Sequence, residues 1–168
     1  MSNQLQNVLK QQQEQTNMTE DDKKQDENIV QLVGFIVGNE EFAVPILSIQ
    51  EIIKPIEWTK VPFTDDYVLG VFNLRGNVLP LIDLRKKFGA PEAEFDDDVR
   101  FIVIKIGNEL AGFVIDRLTE ALRIEADSIL PAPDSGSDRN AMIEGIGRKD
   151  DRIISILKIK ALLKTDSE

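Results

Sequence analysis

The chain carries no histidine and no cysteine in 168 residues. That excludes a thiolate nucleophile, a Ser-His-Asp triad, a disulfide framework and a His/Cys zinc site. Asp, Glu, Ser, Lys, Arg and Tyr are the groups left for chemistry. Ser155-Ile156-Leu157-Lys158 matches S-x-x-K, a pattern in which a lysine activates a serine at a helix start. Here the serine lies in an apolar, strand-like run, so a small strand residue is the simpler reading. No Gly-Lys pair exists, so there is no phosphate-binding loop. Gly145-Ile146-Gly147 opens a G-x-G, but Asp150 stands where the third glycine belongs. Asp134 to Gly145 fails as a calcium loop, because Gly136 and Gly145 fall where oxygen ligands are needed. The acidic clusters Asp65-Asp66, Asp96-Asp97-Asp98 and Asp150-Asp151 lie beside turn signals and read as solvated loop charge. The residues therefore predict no catalytic group, no metal site and no cofactor site.

The elements that would position any binding residue are short strands. From Ile29 onward, runs of Val, Ile and Phe alternate with Gly, Asn, Asp and Pro. Ile29–Val37, the turn Gly38-Asn39-Glu40 and the return Glu41–Val44 predict a hairpin. Val71–Leu74, Arg75-Gly76-Asn77 and Val78–Ile82 predict a second, with Gly76 free to take positive φ. Leu84–Phe88 reads as a short helix closed by Gly89. Phe101–Ile106, Gly107-Asn108-Glu109 and Leu110–Ile115 repeat the first hairpin. Gly-Asn-Glu recurs at an offset of 69 (107 − 38), as does Val61-Pro62 at Leu130-Pro131. Val78–Ile82 recurs as Ile153–Leu157 at an offset of 75 (153 − 78). The order of these matches predicts two copies of a small β unit. With about five strands each, closing into small barrels would hide faces and edges; a single ten-stranded sandwich is the alternative. The division expected is roughly 29–90 and 98–163, with Ala90–Asp98 as the seam.

Residues 1–28 differ in texture: seven Gln, six acids and three lysines with few apolar residues. Such a stretch buries too little surface to offset its ordering entropy, and it reads as a disordered tail. No run approaches the roughly 20 apolar residues of a membrane span, and the first residues lack a signal peptide's basic and apolar regions. A cytoplasmic protein follows. The formal charge of −10 and pI near 4.6 oppose a nucleic-acid partner. Two apolar units without catalytic groups point to a protein that works by binding.

The segment Gly70-Val71-Phe72-Asn73-Leu74-Arg75-Gly76, followed by Pro80-Leu81-Ile82-Asp83-Leu84-Arg85, resembles the signature of CheW-type chemotaxis coupling proteins. Phe42-Ala43-Val44-Pro45, Ile49-Gln50-Glu51-Ile52-Ile53, Val61-Pro62, Gly112–Arg117 and Asp150–Ile154 agree with it, over about Val30 to Leu163. Leu157-Lys158 departs from it, since the family often has Leu-Asp there. The resemblance implies an all-β fold of two five-stranded, SH3-like barrels with short helices, one CheW-like domain over 29–165. It implies a non-catalytic adaptor between membrane chemoreceptors and the chemotaxis histidine kinase, CheA, whose regulatory domain shares the fold. Such a protein would be recruited to receptor arrays without entering the membrane, and would be monomeric when free. Carried over by motif, Ile49, Glu51, Gly70 and Arg75 would form the surface that takes the receptor's helical tip, with Glu51 and Arg75 as an ion pair. Two alternatives stand beside this reading. One is the same module belonging to a receiver-fused coupling protein or to the kinase; the chain's end at Glu168, soon after Leu163, leaves no receiver here. The other is a small β-barrel hydrolase using Ser155 and Lys158.

Overall fold

The structure, a computed structural model, describes residues 28–91, 94–133 and 140–163. The expected tail lies outside these residues, apart from Asn28, whose carbonyl accepts a hydrogen bond from Ala126 N. Eleven strands are formed among the described residues: β1 Ile29–Val37, β2 Glu40–Pro45, β3 Ile49–Ile53, β4 Val68–Leu74, β5 Asn77–Asp83, β6 Arg100–Ile106, β7 Glu109–Ile115, β8 Arg117–Glu125, β9 Leu130–Pro131, β10 Ile143–Lys149 and β11 Arg152–Leu157. The helix α1 spans Leu84–Lys87, with Asp83 as its cap and Gly89 (φ +73°) after its end. The all-β expectation and the predicted hairpins are therefore present.

The strands form two sheets. One has the order β8-β1-β2-β11-β10-β9 and the other β3-β6-β7-β5-β4. This corrects the expected division at Ala90–Asp98. That loop joins α1 to β6 within one sheet. The chain changes sheet at Ile46–Ser48, between β2 and β3, and at Asp116, between β7 and β8. Leu47 and Asp116 are 69 residues apart, so the crossovers are repeat-mates. Each sheet thus takes the first hairpin of one copy and the later strands of the other.

The pairing obeys the repeat. Leu81 of β5 lies in parallel register with Gly112 of β7, and Ile156 of β11 with Ala43 of β2. Adding 75 to Leu81 gives Ile156, and adding 69 to Ala43 gives Gly112. The physical reason for the exchange is edge protection. β2 and β7 would each be the bare edge of an isolated hairpin, and the partner copy's last strand covers it.

Alternation along the strands builds the cores. Phe72, Leu79, Leu81, Phe101, Val103 and Val114 pack together within the five-stranded sheet. Leu32, Ala43, Leu122, Ile124, Ile154 and Ile156 do the same within the six-stranded sheet. Residues of opposite parity, including Phe35, Phe42, Val44, Ile82, Ile102, Ile104, Phe113 and Leu157, form a core shared by both sheets. Both faces of the central strands are thus buried, so each sheet rolls around its own side chains while pressing its outer face against the other.

Candidate partner-binding surface

The β4–β5 hairpin turns through Arg75 and Gly76, at φ +53° and +89°. Positive φ at both central residues is the turn that matches the twist of paired strands. Asn73 Oδ1 accepts from Gly76 N at 3.0 Å and supports it. Arg75 is thereby held outward, 77% exposed along its side chain, and its Nε lies 3.2 Å from Glu51 Oε2. Glu51 belongs to β3, and β3 and β4 are the opposite edges of the five-stranded sheet. The ion pair therefore joins the two edges, which approach because the sheet is rolled.

Of the four residues expected at this surface, Glu51 and Arg75 are in contact. Ile49 is half-buried on β3, against the shared core, across a register shift from Glu51. Gly70 is buried. A Cβ there would sit 2.0 Å from the Thr59 carbonyl oxygen. Thr59 and Val71 exchange backbone hydrogen bonds of 2.8 and 2.9 Å at that point. Gly70 thus shapes the hairpin without offering a side to a partner, at a register shift between Val68 and Gly70.

A second constellation matches the first by the repeat. Glu120, 69 residues after Glu51, is paired with Arg152 at the start of β11. Hydrogen bonding to Glu120 raises the Arg152 pKa above its ordinary value. Arg152 also lies 3.5 Å from Glu41 Oε2, which accepts from Thr119 Oγ1 at 2.9 Å. Sequence reading missed this pair: the offset of 69 points to Glu120, but the offset of 75 carries Arg75 onto Asp150 rather than Arg152. The turn before Arg152 is Asp150-Asp151, at φ +51° and +68°; these aspartates serve turn geometry.

The hydrolase alternative loses its geometry. Ser155 is half-buried in mid-strand, its backbone paired to β2 and β10, and Lys158 is exposed. Among the described residues no group of acids forms a metal-binding cluster, and no helix is long and apolar enough to cross a membrane.

Residues 31–167 match the model of the CheW-like domain. The chain belongs to the CheW-like family. It is 48% identical over 166 residues to the chemotaxis protein CheW of Helicobacter pylori, covering 99% of each chain. It is 34% identical to the CheW of Klebsiella aerogenes, over 79% of this chain and 80% of that one. Its structure is similar to that of the scaffolding protein TtCheW from Thermoanaerobacter tengcongensis. That match has a TM-score of 0.78 and 32% identity, over 83% of this chain and 95% of the other. The function that goes with family membership is that of a chemotaxis scaffold.

Proposed function

We propose that this chain is a non-catalytic cytoplasmic adaptor that holds chemoreceptor tips and the regulatory domain of the histidine kinase CheA in one assembly. The observation that carries the receptor side is the Arg75–Glu51 pair. It is an exposed, oriented charge pair joining the two edges of one sheet, with half-buried Ile49 two residues before Glu51 on β3. A helical tip docks through apolar anchors, with a few polar groups fixing its register. Gly70 acts by keeping the hairpin that carries Arg75 in place.

The kinase side falls to apolar residues at exposed ends of the sheets. Val78 and Ile153 are repeat-mates (153 − 78 = 75) near the turns of equivalent hairpins, and both are exposed. A signalling contact of this kind buries about 1,600 Å² in total or less, and many such contacts in an array add by avidity. The free protein is a monomer with no cofactor.

Pull-down of the Arg75→Glu variant against a receptor-tip fragment and the CheA regulatory domain tests the assignment. Receptor capture falls about tenfold while kinase capture is kept. Unchanged receptor capture removes Arg75 from the site.

A further inference from the structure

Buried Asp83 and Arg85 and half-buried Asp116 form a charge cluster at the junction of the two sheets. Arg85 extends from α1, in the five-stranded sheet's half. Its Nε and Nη2 donate to the two carboxylate oxygens of Asp83 at 3.3 and 3.4 Å, and its Nη1 donates to Asp116 Oδ1 at 3.3 Å. The guanidinium also lies 5.0 Å from the centre of the Phe95 ring. Asp116, at the crossover, uses its other oxygen to accept from Gly38 N at 2.6 Å, and its own N–H donates to Ile36 O at 3.0 Å. Gly38 and Ile36 belong to the other sheet. One arginine thus ties the end of β5 to the β1–β2 turn through a single aspartate.

Two features separate this cluster from ordinary stabilisation. First, one carboxylate and the guanidinium are taken out of water, with Arg85 6% and Asp83 3% exposed along their side chains, and Asp116 partly so. Replacing such a buried group by apolar residues is often neutral or stabilising. The neighbouring shared core of Phe, Ile, Val and Leu already supplies non-directional attraction between the sheets. What that core does not supply is direction, and the planar fork of an arginine does. Second, the repeat does not reproduce it. The mates of Asp83, Arg85 and Asp116 are Lys158 (83 + 75), Lys160 (85 + 75) and Leu47 (116 − 69), all exposed. Lys158 is thus the residue that leaves the second junction without a matching acid.

We infer that Arg85 and Asp116 are positioning residues: they fix the angle between the two sheets at one end of the molecule, and so the relative placement of the surfaces that the two sheets offer to a partner. The part concerning the partner rests on the function proposed above, whereas the angle itself can be read without any partner.

The chain has no cysteine, so Lys105→Cys on β6 and Glu144→Cys on β10, both at exposed positions on different sheets, give a clean pair of spin labels. In that background the network is neutralised by Asp83→Asn, Arg85→Met and Asp116→Asn, which keep acceptors for Arg85 N and Gly38 N. The labelled parent gives one narrow distance. The neutral variant melts within a few degrees of it, yet its distance distribution shifts or broadens, and affinity for a receptor-tip fragment falls about tenfold. An unchanged distribution in the folded variant overturns the inference, whatever happens to its melting temperature. Should the triple variant fail to fold, Arg85→Lys, which keeps the charge and loses the fork, is judged by the same distribution. Failure of the parent to bind the receptor tip would count against the proposed function alone, because the distances decide the sheet angle.

Discussion

An arginine that is 77% exposed contributes little to folding by pairing with a neighbouring carboxylate; such surface pairs are worth about 0–1 kcal/mol. Arg75→Glu should therefore leave the urea-unfolding midpoint almost unchanged while abolishing most receptor capture. Glu51→Arg combined with Arg75→Glu restores the pair with reversed polarity; recovery of receptor capture by this double variant identifies pairing, and continued loss identifies direct reading of Arg75 by the partner. Gly70 is the opposite case. An added Cβ collides with the Thr59 backbone, and φ of +152° is strained for any other residue. Gly70→Ala should cost about 1–3 kcal/mol from backbone strain alone, seen as a lower urea midpoint, and should weaken receptor capture through the displaced hairpin. The sequence made Arg75 visible because a turn glycine follows it. The partnership with Glu51 came only through family resemblance, since 24 residues and two sheet edges separate the two. Glu120 and Arg152 stayed hidden because the repeat places aspartates, not arginine, at that turn.

At the level of elements, the hairpins were legible because each joins β-rich runs through a turn with its own chemistry. β8 was not. Its sequence Arg-Leu-Thr-Glu-Ala-Leu-Arg-Ile-Glu spreads charge along most of its length and buries only Leu122 and Ile124. The exchange of strands between sheets was also invisible. Periodicity reports which face of a strand is apolar, not which neighbour covers its edge. The consequence is testable by cutting the chain between Pro91 and Glu94. Neither half should fold alone, because each lacks the strands that complete its hairpin's sheet; mixing them should restore native β circular dichroism. Two halves that fold separately would reinstate the sequential division at 90–98.

On the scale of the whole molecule, duplication supplied two rolled sheets with a common core and two chemically different junctions. The first junction carries the Asp83–Arg85–Asp116 cluster, built on a buried Asp83–Arg85 pair, and the second has exposed lysines in its place. That asymmetry matters for an adaptor, which must offer distinct surfaces to distinct partners from two similar halves. Co-sedimentation with receptor-containing membranes and the cognate kinase tests this central claim most directly. The account predicts that the kinase pellets with receptor membranes only when this chain is present, and that its autophosphorylation rises there. Kinase recovery and activity that are the same with and without the chain would contradict it.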